Sequence, residues 1–138
     1  MKKTANEVKK TIKGHFPKLK YIWLLDRGYT LPTVSELEDM IKERLESPAT
    51  QKLWALMKAN DDDYDCDDFT IQLRAMIKAR RPKWPVPECI GILNEGIVET
   101  VHSRFLCDTQ GGLKIIEGED GSVLEPNIAD YEPFAVWG

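Results

Sequence analysis

Three closely spaced prolines divide this chain into two parts with different sequence patterns. Pro82, Pro85 and Pro87 interrupt any helix, because proline lacks the backbone N–H and fixes its own φ angle. Before them apolar residues recur at helical spacing, and after them β-branched residues alternate with turn signals. Helices followed by antiparallel strands predict an α+β fold. We expect one domain over residues 1–138, helical in about 1–82 and β in about 83–138.

Capping signals predict where the helices begin. Thr33 and Glu36 fit a capping box, in which each side chain satisfies the other residue's exposed backbone N–H. The Ser47-Pro48 pair fits the N-cap and first position of the next helix. A third helix is predicted over 66–80, with Asp65 as its N-cap.

A β-hairpin in the second part brings two polar residues together. Residues 102–107 continue a β-rich strand, 108–112 form a turn and 113–117 return. A turn centred near 109–111 places His102 and Glu117 directly opposite each other or within one step. Facing side chains in such a pair are close enough for a carboxylate to hold an imidazole in one tautomer.

Cys66, at the start of the third predicted helix, completes a candidate constellation. A thiol, an imidazole and a carboxylate can act as nucleophile, general base and orienting acid, here Cys66, His102 and Glu117. A helix N-terminus or an imidazolium lowers the pKa of a thiol, whereas neighbouring carboxylates oppose its ionisation. The alternative interpretation is a small buried cysteine, a hydrogen-bonded strand histidine and a solvated glutamate. Cys89 and Cys107 lie in apolar runs and are interpreted as structural.

The acidic loop before Cys66 has a hypothesis of its own. Asp61, Asp63 and Asp65 alternate as calcium ligands do in an EF-hand. The loop is not an EF-hand, because Cys66 stands where glycine is needed and Gln72 where glutamate is needed. A different calcium or manganese site is one interpretation. The other is an exposed acidic loop that suits the positive end of a helix dipole.

Bulk properties restrict the partners. A formal net charge of -4 argues against binding nucleic acid through phosphate neutralisation. The basic stretch 78–83 is interpreted as a helix C-terminus rather than a phosphate site. No stretch approaches the roughly 18 apolar residues of a membrane helix, and the N-terminus lacks the apolar region of a signal peptide. We therefore expect a cytoplasmic protein without nucleic-acid or membrane partners, and the sequence does not indicate an oligomeric state.

Three segments resemble a known group of cysteine enzymes. The run Asp65-Cys-Asp-Asp-Phe69 at a helix start, the strand 102–107 and the strand 113–117 resemble the nucleophile, histidine and acid segments of papain-like and transglutaminase-like enzymes. They are similar in particular to the papain-like domain at the C-terminus of the Marasmius agglutinin and to related small bacterial and phage proteins. The aromatic stretch 21–29 is similar to that group's early segment.

The resemblance implies a papain-like arrangement and a cysteine hydrolase acting on peptide or amide bonds of a peptide or protein substrate. Cys66 would be the nucleophile, His102 the general base and Glu117 the orienting acid. The activity of the resembled domain depends on calcium, which would give the acidic loop a role. The alternative function is a non-catalytic interaction or metal-binding module of the same fold, of phage origin.

Overall fold

The computed structural model describes residues 1–127 and 130–138, and in these ranges the protein is an α+β structure. The helices are α1 (Ala5–His15), α2 (Val34–Glu46), α3 (Pro48–Ala59) and α4 (Cys66–Arg80). The strands are β1 (Lys2–Thr4), β2 (Tyr21–Trp23), β3 (Gly28–Thr30), β4 (Glu88–Glu95), β5 (Val98–Thr109), β6 (Gly112–Ile116), β7 (Val123–Leu124) and β8 (Tyr131–Trp137). No helix in the described ranges is long and apolar enough to span a membrane.

The main sheet has six strands in the order β2-β8-β4-β5-β6-β7. It is mixed, because β2 runs parallel to β8 at one edge while the other neighbours are antiparallel. The expectation of a purely antiparallel sheet placed after the helices is therefore wrong at this edge. Parallel strands are joined by a long connection and not by a hairpin turn. The residues next to 21–23 therefore do not indicate which strand this segment pairs with. Strands β1 and β3 form a separate antiparallel pair.

The capping signals place the helices where the sequence predicts them. Thr33 Oγ1 accepts from the Glu36 N–H at 3.0 Å, and Glu36 Oε1 accepts from the Thr33 N–H at 3.0 Å. Ser47 Oγ accepts from the Thr50 N–H at 3.2 Å ahead of α3. Helix α4 begins at the predicted Cys66, so the candidate nucleophile lies in the first turn of a helix.

Apolar side chains pack on both faces of the main sheet. Helices α2, α3 and α4 cover one face through a cluster that includes Leu73 of α4 and Phe105 of β5. Helix α1 covers the opposite face, where Leu106 and Val136 belong to a second cluster. Consecutive residues of β5 enter different clusters because side chains alternate across a strand. Helix α4 is therefore fixed against β5, the strand that carries His102.

Gly118 sets the distance between α4 and the end of β6. A Cβ atom at Gly118 would lie 2.6 Å from the Cα atom of Thr70 in α4, closer than such atoms approach. Thr70 is fully buried, and its hydroxyl donates to the Ser103 carbonyl at 3.2 Å. Because Gly118 has no side chain, α4 can pack closely against β5 and the end of β6, next to Glu117.

Candidate functional site

The Cys66 thiol lies at the junction of α4 and β5. It is partly exposed, and its Sγ accepts a hydrogen bond from the Ser103 N–H at 3.4 Å. The neighbouring His102 imidazole lowers the pKa of the Cys66 thiol; burial opposes this effect, and the Ser103 N–H adds to it. The local geometry therefore favours the thiolate, which is the nucleophilic form of cysteine.

His102 connects the thiol to the acid. Its Nε2 lies 2.8 Å from Glu117 Oε2, which leaves Nδ1 available to the thiol. The interaction with Cys66 and then the hydrogen bond with Glu117 raise the pKa of His102 to about 9. Because the pKa of the thiol is lowered while that of the imidazole is raised, the thiolate–imidazolium form of the pair is stabilised relative to the two isolated groups.

The hairpin register explains the contact between His102 and Glu117. Phe105 faces Ile116 across β5 and β6, so Glu117 continues the register toward Arg104. His102 precedes Arg104 by two residues and shares its face of the strand. The histidine and the glutamate are therefore diagonal neighbours, within reach of long side chains. The structure brings all three predicted residues, Cys66, His102 and Glu117, to one place.

Arg104 is a member of this cluster that the sequence analysis missed. Its Nε donates to Glu117 Oε2 at 2.8 Å, and its guanidinium lies 4.9 Å from the centre of the Tyr131 ring. Burial raises the pKa of Glu117, but the hydrogen bonds from His102 and Arg104 outweigh burial and keep that pKa below its usual value. The available signal was the two-residue spacing from His102, which places both side chains on one face opposite Glu117. Tyr131 also supports the site by donating to the His102 carbonyl at 2.7 Å.

An open groove lies between the start of α4 and the sheet, with a volume of about 600 Å³. We call it the α4 groove, and its lining residues are Asp65, Cys66, Asp67, Ile71, Glu88, Ile90, Val101, Ser103 and Trp137. Trp23 pairs in register with Trp137 and is 73% exposed, which extends the aromatic surface beyond the groove. Because Cys66 lines this groove, a ligand bound there can reach the thiol.

The other two cysteines are buried, in agreement with their structural interpretation. Cys89 and Cys107 are both 0% exposed. Burial raises the pKa of Cys89 to about 12 and also raises the pKa of Cys107. Cys66 is therefore the cysteine that is both accessible and readily ionised.

The structure does not group the predicted metal ligands as a set. Among the described residues, the acids whose ligand atoms lie within 4.8 Å of one another are Asp65, Asp67 and Asp68, while Asp61 and Asp63 lie outside this group. Asp68 Oδ2 accepts from the Asp65 N–H at 2.9 Å, as an acid at a helix N-terminus does. Alternation along a loop does not bring carboxylates together, so we derive no calcium-dependent step.

Comparison with known proteins identifies similar folds but no family. No family model and no curated protein matches the chain. A structure of PSL1a, the Polyporus squamosus lectin, in complex with E64 is 16% identical, with a TM-score of 0.74, and the match covers 99% of this chain and 51% of that one. A structure of the same lectin with the human-type influenza-binding epitope Neu5Acα2-6Galβ1-4GlcNAc is 16% identical, with a TM-score of 0.73 and coverages of 99% and 49%. The chain thus spans about half the length of these lectin chains, and the likeness concerns the fold.

The comparison corrects the family expected from the sequence. The two structures described above are those of a fungal lectin, so the assignment to a papain-like peptidase fold is wrong by this comparison. The predicted cysteine hydrolase, with a peptide or protein substrate, is likewise wrong, and nothing supports a calcium-dependent activity or a phage origin. Short motifs around a thiol, an imidazole and an acid describe a local arrangement, which neither defines a fold nor names a reaction.

Proposed function

We propose that this chain is a ligand-binding domain with a nucleophilic thiolate in its binding groove. The observation that carries the proposal is the position of Cys66, which lines the α4 groove and accepts a hydrogen bond from Ser103 at 3.4 Å. His102 lies beside it and is held by Glu117 at 2.8 Å. Concave sites with apolar walls and a few convergent polar groups are typical of ligand sites.

The arrangement supports covalent addition to a bound ligand. The Cys66 thiolate attacks an electrophilic carbon, an S–C bond forms, and the displaced electron pair moves to the adjoining heteroatom of the ligand. The His102 imidazolium then donates its proton to that heteroatom and becomes neutral. Glu117 keeps the ring oriented, as a positioned acid does for a catalytic imidazole. No water is consumed, so the product is an adduct of the protein with its ligand.

Adduct formation at Cys66 tests the proposal directly. E64, the compound in complex with PSL1a, and iodoacetamide are the two probes. We expect each to modify the protein once, at Cys66, faster at neutral pH than free cysteine, because more of the thiol is ionised. With iodoacetamide the thiolate displaces iodide, which leaves as the S–C bond forms. Intact-mass and peptide mass spectrometry measure the adduct, and Cys66→Ser is the matched control. Iodoacetamide labelling of Cys66 no faster than of free cysteine would overturn the proposal.

Glycan binding is a second candidate function, favoured by an exposed aromatic strip. Tyr21 and Trp23 are 68% and 73% exposed on one side of β2, and Trp137 lies beside Trp23 in register. Exposed aromatic patches mark ligand or partner sites, and the fold is similar to that of a lectin whose structure contains a sialylated trisaccharide.

Titration calorimetry with Neu5Acα2-6Galβ1-4GlcNAc tests this second candidate. We expect Trp23→Ala to weaken binding by about tenfold, since large aromatic side chains contribute most to binding energy. Leu56→Ala, which truncates an exposed apolar residue of α3, is the control and leaves the affinity unchanged. An absence of measurable binding to the unmodified chain would remove glycan recognition from consideration.

A further inference from the structure

The α4 groove contains a buried acid that the thiolate chemistry does not use. Glu88 of β4 lines the groove and is only 9% exposed. Its Oε1 lies 3.8 Å from Arg74 Nη1, a separation longer than a hydrogen bond, and no donor among the described residues hydrogen-bonds to its carboxylate. Burial raises the pKa of Glu88; the charge of Arg74 opposes this effect, and the charge of Asp67 adds to it. Glu88 is therefore only loosely paired with Arg74, without a hydrogen bond, and a further positive charge in the groove would stabilise its ionised form.

Two further carboxylates give the groove a negative wall. Asp65 and Asp67 line it at the start of α4. Among the described residues that line the groove there is no lysine or arginine, although Arg74 lies beside Glu88. The His102 imidazolium faces the Cys66 thiolate and Glu117, so its charge is already matched. The negative charges of Asp65 and Asp67 therefore act on any ligand bound in the groove.

Apolar side chains form the rest of the lining. Ile71 is 45% exposed on α4, Val101 is 60% exposed on β5, and Trp137 is 39% exposed on β8. Exposed apolar surface next to carboxylates suits a ligand that carries an apolar group and a cationic group. An anionic ligand would meet like charge from Asp65 and Asp67, whereas the charge of Glu88 is partly neutralised by Arg74.

We infer that the α4 groove selects a ligand that joins an apolar group to a cationic amine or guanidinium group. The cation lies near Asp67 and Glu88, and the apolar group packs on Ile71 and Trp137. This inference rests on the proposed function, since it names the ligand class of the same site.

A pair of charged thiol reagents tests the inference. The probes are 2-aminoethyl methanethiosulfonate, a cation, and 2-sulfonatoethyl methanethiosulfonate, an anion; with each, the thiolate forms a mixed disulfide and methanesulfinate leaves. Rates at Cys66 are divided by the rates with 2-mercaptoethanol, an uncharged thiol. We expect a cation-to-anion ratio of about fivefold or more at low salt, decreasing as salt screens the carboxylates. A ratio near one, with Cys66 still reactive, would overturn the inference and leave the proposed function intact.

Matched variants separate the groove acids from the net charge of the protein. Asp67→Asn and Glu88→Gln should each lower the ratio toward one. Asp39→Asn, at an exposed acid of α2 outside the groove, should leave it unchanged. Both rates are measured in the same variant, so a change in the pKa of Cys66 cancels. An equal effect of all three variants, or no effect of the two groove variants, contradicts selection by the groove; a Cys66 unreactive to both reagents contradicts the proposed function instead.

Discussion

Replacing His102 by alanine is expected to lower the alkylation rate of Cys66 at pH 7 by about 10- to 30-fold, because a free thiol is only a few per cent thiolate at that pH. His102 is the main cause that lowers the pKa of the Cys66 thiol. Without the imidazole the thiol keeps only the weaker contribution of the Ser103 N–H, against burial. Second-order rate constants with iodoacetamide, assigned to Cys66 by peptide mass spectrometry, measure the effect.

The pH profile gives the same prediction a second readout. In the unmodified protein the thiolate fraction at neutral pH is higher than that of a free thiol, and it falls as pH decreases through the lowered pKa of Cys66. The pKa of His102 is raised to about 9, so the imidazolium persists beside the thiolate until alkaline pH. In His102→Ala the midpoint of the profile moves upward, toward the ordinary pKa of a thiol. A structural role for the histidine would not produce that shift.

His15→Ala is the matched control for this experiment. His15 is the other histidine of the chain, at the exposed end of α1, and its replacement should change neither the rate nor the midpoint. An unchanged midpoint in His102→Ala would show that the thiol is ionised by other groups. It would also remove the imidazole from the proposed site.

Local signals predicted part of the site, and contacts distant in sequence decided the rest. Helix α4 begins at the predicted Cys66 because capping depends on residues a few positions apart. The contact between His102 and Glu117 follows from a short hairpin, whose turn sets the register. Trp137 lies in β8, which pairs with β2 and β4, two strands that are distant from it in sequence. No local sequence pattern indicates such pairs, so none could place Trp137 at the groove.

Contacts distant in sequence also explain where the expectations and the structure differ. The set Asp61, Asp63 and Asp65 rests on alternation along a loop, whereas the helix start at Cys66 groups Asp65 with Asp67 and Asp68 of its first turn. The parallel edge strand β2 was missed because strand order in a sheet depends on packing against both faces. The papain-like assignment treated a local arrangement as evidence for a whole fold.

The stability of α4 against the sheet should depend strongly on Leu73. This side chain is 0% exposed within the cluster that joins α2, α3 and α4 to β5. Leu73→Ala is expected to lower the free energy of unfolding by about 2–5 kcal/mol, since truncation of a buried leucine loses hydrophobic burial and leaves a cavity. That is a large fraction of the about 5–15 kcal/mol typical of a domain. Urea denaturation followed by tryptophan fluorescence measures the change.

Ile71 provides the matched control two residues earlier in the same helix. It is 45% exposed on the wall of the α4 groove, so Ile71→Ala removes side-chain carbons without opening an internal cavity. We expect a loss below about 1 kcal/mol, most of it from partial burial and helix propensity. Equal losses from the two variants would contradict the packing of α4 through Leu73. Because Cys66 begins this helix, a large loss confined to Leu73→Ala would mean that the core residues of α4, rather than its groove-facing side chains, hold the thiol against β5.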